Sequence, residues 1–221
     1  MSRPDRPTER RTVLVTGAAR GLGQALCVEL RRRGDHVIAT GRAGADGLLE
    51  LDVRDPRSVA RAIDTIRDRH GGIDLLVNNA AVDFDTDQLA SQADLDRVRD
   101  TFEVNLFGAW RTTQAALPLL RPGAAVIMVS SALGSSAHRS AEAPGYQLSK
   151  LALNGLVRML ALELAPRSID VRAVSPGWTA TDMGGAGGRP ISDGVASILA
   201  AVDAPAAATG TYTQDGIALP W

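Results

Sequence analysis

The chain of 221 residues has one cysteine, one lysine and two tyrosines, and no apolar run near the ~18 residues that cross a bilayer. Cys27 alone excludes an internal disulfide and the paired-cysteine spacings of zinc sites, so no oxidising compartment and no metal is expected. A lone Cys is expected to be a buried, inert thiol. Met1 to Arg11 are polar and rich in Arg and Pro, without the apolar segment of a secretory signal. They are expected to form a flexible tail, residues 1–11, before one domain over 12–221. No internal repeat or low-complexity linker divides the rest. A net charge of -1 favours neither nucleic acid nor a membrane surface as partner. The expectation is a soluble, cytoplasmic protein. Of 24 basic side chains, the only lysine is Lys150. The others have drifted to arginine, so a site that needs a compact ammonium is worth seeking around Lys150.

With 45% hydrophobic and 22% charged residues, the chain has the composition of a globular domain. Apolar runs of strand length (Thr12 to Thr16, Val37 to Thr40, Leu48 to Val53, Ile73 to Val77, Ala125 to Val129, Ile169 to Val174) alternate with helical patterns. The helices are predicted over Gly21 to Arg33, ended by Gly34; Pro56 to about Arg69, capped by Asp55; Asp94 to Leu120, closed by Pro122 and Gly123; and Gly145 to Ala165. Strands between helices predict an α/β fold, a doubly wound parallel sheet with helices on both faces. Such a sheet binds ligands beyond the carboxyl ends of its strands.

Beyond the first strand, Thr16-Gly17-Ala18-Ala19-Arg20-Gly21-Leu22-Gly23 opens a helix. The glycines allow a tight turn and leave helix N–H groups free to face a pyrophosphate. A tight turn with no ligand is the alternative. At the second strand's end stand Gly41 and Arg42, where NAD-selective folds place a carboxylate for the ribose hydroxyls. Arg42 and Arg20 instead suit a 2′-phosphate, so NADP(H) is expected over NAD(H). Asp52 and the Val53 backbone are placed for an adenine ring, with a strand-end turn as the other reading of Asp52. Asn78-Asn79-Ala80-Ala81 leaves the fourth strand either as a plain Asx turn or as a turn that brings Asn79 and Ala80 to the cofactor.

Tyr146 lies four residues before Lys150, so on a helix the phenol and the ammonium share one face. A phenol must titrate below its ordinary value to exchange protons near neutral pH, and a nearby cation that stabilises phenolate brings it down. Ser131, in Ser130-Ser131-Ala132-Leu133-Gly134 at the end of the fifth strand, is preferred over Ser130 for polarising a substrate oxygen because of its spacing to Gly134.

Together, T-G-A-A-R-G-L-G, Asp52, Asn78-Asn79-Ala80, Asn105, Ser131, Tyr146 with Lys150, and Pro176-Gly177 leading to Thr181 resemble the short-chain dehydrogenase/reductase family. The resemblance runs from about Thr12 to the C-terminus. It implies a single Rossmann-type domain of strand order 3-2-1-4-5-6-7. Tyr146 would be the general acid and Ser131 would hold the substrate oxygen. Lys150 would lower the Tyr146 pKa and bond the nicotinamide ribose, and Asn105 would position a water linking Lys150 to solvent. Pro176, Gly177, Thr179 and Thr181 would border the nicotinamide and pyrophosphate. Relatives commonly form homodimers or homotetramers; Ala115, Leu119, Leu153, Leu156 and Leu160 are either such a face or core.

Two departures stand out. Ala81 replaces the usual fourth-position glycine and adds a methyl beside the cofactor, shifting the loop. The Ser131 to Tyr146 separation of 15 residues is longer than is common, and the added loop carries His138 and Arg139 near the pocket mouth. Residues from Trp178 to Gly185, with the terminal Ile217 to Trp221, are similar to the carbonyl-reductase-like branch, which reduces ketones and aldehydes with NADPH. The short Ala186 to Pro190 segment implies an open pocket, with candidate walls Val82, Phe84, Leu133, His138, Trp178 and Met183 suited to an apolar carbonyl compound. An NADPH-dependent carbonyl reductase is therefore expected. The alternatives are alcohol oxidation or a redox-neutral reaction at the same site, or a dinucleotide-sensing regulator. The complete set of Asn105, Ser131, Tyr146 and Lys150 weighs against the regulator. Lys150→Arg should lose most turnover with the fold intact, as read by steady-state assay beside circular dichroism; near-wild-type activity would make the lone lysine an accident of composition.

Overall fold

The computed structural model describes residues 10–44, 47–138 and 140–221. Residues 1–9 of the expected tail, and Arg139, lie outside the described residues. Arg11 is anchored: its guanidinium meets both carboxyl oxygens of Asp35 at 2.8 Å.

The first unit is β1 (Thr12–Val15), α1 (Gly21–Arg32) and β2 (His36–Gly41), followed by the short β3 (Leu49–Glu50). Then come α2 (Pro56–His70), β4 (Ile73–Asn78), α3 (Leu95–Phe102), α4 (Ala109–Ala116) and β5 (Leu120–Val129). The chain finishes with α5 (Pro144–Leu164), β6 (Asp170–Val174), α6 (Ile191–Asp203), β7 (Tyr212–Gln214) and β8 (Ile217–Ala218). The sheet order is β3-β2-β1-β4-β5-β6-β7-β8, parallel except for the antiparallel β8. The expected order 3-2-1-4-5-6-7 is therefore seen, with one hairpin strand added.

Alternation along each strand builds two cores. Leu14, Leu76, Val126 and Met128 face the side covered by α2, α4 and α5. Val13, Val15, Val77 and Ile127 face α1 and α6. Sequence signals explain the helix limits where they are strong. Asp55 caps α2 by accepting from the Arg57 N–H at 2.9 Å, Pro56 opens it, and Gly71 ends it in the left-handed region.

Several expectations need correcting. The helix predicted from Asp94 to Leu120 is broken into α3, a π-helical segment over Glu103–Gly108, and α4. Pro122 and Gly123 do not close it; they lie inside β5, which starts at Leu120, with a register shift where β4 passes. The third strand shrinks to two residues because only Leu49 and Glu50 pair with β2. Leu119, Leu153, Leu156 and Leu160 are buried core residues and Ala115 packs on that core. The exposed apolar face of α5 is instead Leu148, Leu151, Met159 and Leu162. Cys27 is buried, and burial pushes its thiol up to about 11, as expected of an inert group. Among the described residues no helix is long and apolar enough to cross a membrane.

Candidate active site

The carboxyl ends of β1, β4, β5 and β6 bring the sequence-derived residues together. At the end of β1, Gly17 takes φ +66°, and a Cβ there would sit 2.7 Å from Ala80 Cα. Only glycine tolerates both the conformation and the approach. A Cβ at Gly23 would lie 2.3 Å from Gly17 O, so the α1 entry folds tightly on itself. Asn79 clamps this turn to the loop after β4, its Nδ2 donating to Thr16 O at 2.9 Å and Gly17 O at 3.0 Å. The Asn79 and Ala80 N–H groups both donate to Thr16 Oγ1, at 3.0 and 3.1 Å. Asn78 faces inward and donates to Thr113 Oγ1 at 2.9 Å. Ala81 is not among the residues with positive φ, so its backbone takes a conformation that alanine accepts without strain.

The N-terminus of α1 has no side-chain cap and no acidic residue in its first turn, leaving its N–H groups and positive dipole end free for an anion. A cleft of about 530 Å³ opens there, lined by Arg20, Gly21, Gln24, Thr181, Asp182 and Ile191. The expected wall residues for substrate do not line it. Ala19 and Arg20 are exposed, Leu22 half-buried, and Arg20 reaches across to Asp182 at 3.0 Å. Exposed Arg42 lies close enough to Asp52 to help hold its carboxyl below the usual range, after the larger effect of the Arg54 hydrogen bonds. Asp52 accepts from the Arg54 backbone at 3.0 Å and from its guanidinium at 3.1 and 2.8 Å. The carboxylate is thus engaged in its own turn, the alternative that the sequence left open. The Val53 carbonyl is likewise occupied, accepting from Arg111 at 2.5 Å.

The candidate reacting corner lies where β5 meets α5. Ser130 turns into the core and donates to Asn154 at 2.7 Å. Ser131 is the serine beside the phenol, near enough to pull it down, with its Oγ accepting from the Leu133 N–H at 3.2 Å. Lys150 is buried, its Nζ donating to Val129 O at 2.8 Å and lying 5.6 Å from the Tyr146 ring centroid. Burial pushes the Tyr146 phenol up to about 12; the Ser131 hydroxyl pulls it down and the charge of Asp83 pushes it further up. Burial alone pulls Lys150 down to about 8. Burial thus acts on both members of the pair toward the neutral form, disfavouring phenolate and ammonium alike.

Asn105 sits in the π-helical segment, a frequent feature of functional sites. Its side chain is occupied by protein partners: Oδ1 accepts from the Val82 N–H at 2.8 Å, and Nδ2 donates to Val82 O at 2.8 Å and Ser149 Oγ at 3.0 Å. After β6, Thr179 Oγ1 donates to Pro176 O and Gly177 O, and Thr181 Oγ1 accepts from the Gly184 N–H. Trp178 is largely exposed, with its Nε1 donating to Gly184 O at 2.7 Å and Gly187 packed against its ring. Phe84 and Met183 are partly exposed, Val82 and Leu133 half-buried, and His138 exposed.

Sequence reasoning missed four residues. Asp83 faces the phenol and has its own carboxyl pushed up, first by burial and then by the charge of Asp85. Asp85 is buried against the start of α5. Arg189 braces the 176–189 loop by donating to Pro176 O and pairing with both oxygens of Asp215. Tyr212 donates from its phenol to Ser131 O at 2.5 Å. None lies in a short motif, so only the tertiary fold brings them to the site.

A family model described as short chain dehydrogenase matches residues 11–189. The chain is 35% identical over 211 residues to the 3-oxoacyl-(acyl-carrier-protein) reductase FabG of Salmonella typhimurium, spanning 89% of this chain and 83% of that protein. It is similar to a short chain dehydrogenase from Burkholderia cenocepacia in complex with NADP, at 30% identity and a TM-score of 0.82, covering 94% and 97% of the two chains. An NADPH-bound carbonyl reductase from chicken fatty liver shares the fold, with a TM-score of 0.85 at 24% identity over 96% of this chain and 100% of that one.

The buried lysine has a thermodynamic signature. Between pH about 8 and its ordinary 10.5, Lys150 is neutral in the folded protein and protonated in the unfolded chain. The unfolded state then binds more protons, and stability rises with pH across that window. Urea denaturation over a pH series should show the wild type gaining stability relative to Lys150→Met from pH 8 to 10.5, whereas a flat difference would mean the ammonium is not desolvated.

Proposed function

The chain belongs to the short-chain dehydrogenase family, a group of oxidoreductases acting on CH–OH and C=O groups, and from that premise we propose that it reduces a ketone or aldehyde with NADPH. The observation that carries this reading is the meeting of Ser131, Tyr146 and Lys150 at the carboxyl end of β5, beside the glycine turn and the uncapped α1.

The cradle fits a dinucleotide. Gly17, Ala19, Arg20, Gly21, Leu22 and Gly23 would surround the pyrophosphate, where any Cβ at Gly17 or Gly23 would close the turn. Arg42 with Arg20 would take a 2′-phosphate, for which Arg20 exchanges Asp182 for the ligand. Asp52 and Val53 would border the adenine, Asn79 and Ala80 the ribose side, and Pro176, Gly177, Thr179 and Thr181 the nicotinamide. When bound, the cofactor supplies the hydride.

The substrate carbonyl oxygen would accept hydrogen bonds from Ser131 and Tyr146. As that oxygen gains negative charge, the phenol gives it a proton and an alcohol results. The phenolate left behind lies beside the Lys150 ammonium, which stabilises it. The phenol, pushed up by burial, is in its acid form at neutral pH, the form that donates a proton in the reduction direction. Phe84, Leu133 and Met183 suit an apolar substrate entering an open mouth. The exposed α5 face of Leu148, Leu151, Met159 and Leu162 would serve subunit pairing.

NADPH oxidation against a panel of ketones should be robust in the wild type and fall by about 10²- to 10⁴-fold in Tyr146→Phe, with NADPH binding retained. Binding without turnover, equal in both proteins, would end the reductase reading. Arg42→Ala should raise the KM for NADPH by about 10- to 100-fold, the worth of a charge-assisted contact, and leave NADH use unchanged. An equal effect on both nucleotides would remove the 2′-phosphate assignment.

A further inference from the structure

We propose that Asp85 is a positioning residue for Tyr146, holding the first turn of α5 by its main chain so that the phenol is aimed at the substrate oxygen. The proposal rests on the reductase reading above, in which Tyr146 donates the proton.

The start of α5 lacks its own cap. Ala143, in the N-cap position, has φ 49° and ψ 53° and offers no side-chain hydrogen bond, and no acidic residue stands in the first turn. Pro144 has no N–H, so Gly145 and Tyr146 carry the first free donors of the helix. Both donate to one carboxylate 60 residues upstream: Gly145 N–H to Asp85 Oδ2, and Tyr146 N–H to Asp85 Oδ1 at 3.2 Å. Asp85 is fully buried, and no ion pair to it appears among the described residues. The helix N-terminus lies against its charge, and the Arg97 guanidinium attracts it from farther off.

The local sequence is shaped around this contact. A Cβ at Gly145 would lie 2.9 Å from Asp85 Oδ2 and 3.1 Å from Val98 Cα, so the close approach requires glycine. Gln88 extends the bracket, with its carbonyl accepting from the Ala143 N–H at 3.1 Å. The carbonyl of Tyr146 is held from the other side: it accepts from Ser149 Oγ at 2.8 Å, and Ser149 Oγ in turn accepts from Asn105 Nδ2. Asn105 grips Val82, three residues before Asp85. The main chain of Tyr146 is therefore pinned at its N–H by Asp85 and at its C=O through Ser149 and Asn105, all referred to one loop. A misplacement near ~1 Å at such a group lowers turnover by about 10²-fold.

A cap that served stability alone would change the melting temperature and leave the chemistry of the folded enzyme untouched. Asp85→Ala and Asp85→Asn, assayed well below their melting temperatures, separate the two. Asparagine keeps one acceptor for the first turn, so it also serves where alanine fails to fold. We expect kcat to fall by about 10²-fold in Asp85→Ala and by less in Asp85→Asn. The KM for carbonyl substrate and the NADPH Kd should stay within about twofold, and the solvent isotope effect on kcat should rise as proton transfer becomes limiting. A second readout needs no cofactor. In a Tyr212→Phe background, ultraviolet titration of Tyr146 should show the phenol moving down from its raised value once the turn loosens and admits water. Asp85 variants with near-wild-type kcat, isotope effect and phenol titration would overturn the proposal while Tyr146→Phe remained inactive. An active Tyr146→Phe would instead overturn the reductase reading on which it rests.

Discussion

The loop that leaves β4 is hydrogen-bonded to three elements that otherwise have little reason to hold a common geometry. Asn79 ties it to the glycine turn after β1, Asn105 ties Val82 to the π-helical segment between α3 and α4, and Asp85 ties it to α5. A parallel sheet fixes where its strands end but leaves the loops beyond them free. This loop converts that freedom into one frame, so the glycine turn and the Tyr146 phenol share a reference. Its polar groups are buried and directional, which makes the frame specific as well as stable.

The same burial sets the electrostatics of the reacting pair. Tyr146 and Lys150 are both displaced toward neutrality, the phenol up and the ammonium down. Among the described residues no ion pair to Lys150 appears, and the charge of Asp83 opposes phenolate. In the protein alone, then, the corner stores an acid rather than a base. A polyanionic ligand in the adjoining cleft would favour the protonated lysine, and a protonated lysine would favour phenolate only as the proton leaves.

What the sequence made legible follows a physical division. Short-range patterns announced themselves: the strand alternation that builds two cores, the Asp55-Pro56 start of α2, the glycine turn, and Tyr146 one helical turn before Lys150. Features set by tertiary contact did not. Asn105 has no local signal, and the π-helical segment that carries it is invisible to a 3.6-residue period. Pro122 and Gly123 read as helix terminators, yet they sit in a strand because β4 supplies a partner with a register shift. The Leu residues of α5 looked equally suited to an interface or a core, and only the packing of β6 behind them assigns Leu153, Leu156 and Leu160 to the interior. Asp85 and Gly145 lie 60 residues apart, so neither explains itself without the other.

The lone lysine in an arginine-rich chain acquires a structural reason from its surroundings. Arg172 shows what this protein needs in order to bury a guanidinium: its N–H groups donate to Ala201 O, Ala204 O, Pro205 O and the Asp170 carboxylate. Lys150 is equally buried but is held by one carbonyl, Val129 O, with the Tyr146 ring along its flank. Five fixed donors in that space would leave most of them desolvated and unsatisfied, whereas an ammonium can rotate its three donors toward the acceptors present. Gly134 packs against the base of this side chain, where a Cβ would lie 2.8 Å from the Lys150 backbone and Cβ, so the position of α5 against this turn requires glycine. At equal depth, then, the corner between β5 and α5 presents Lys150 with a single recorded carbonyl partner among the described residues, a setting that suits a point charge better than a five-donor fork.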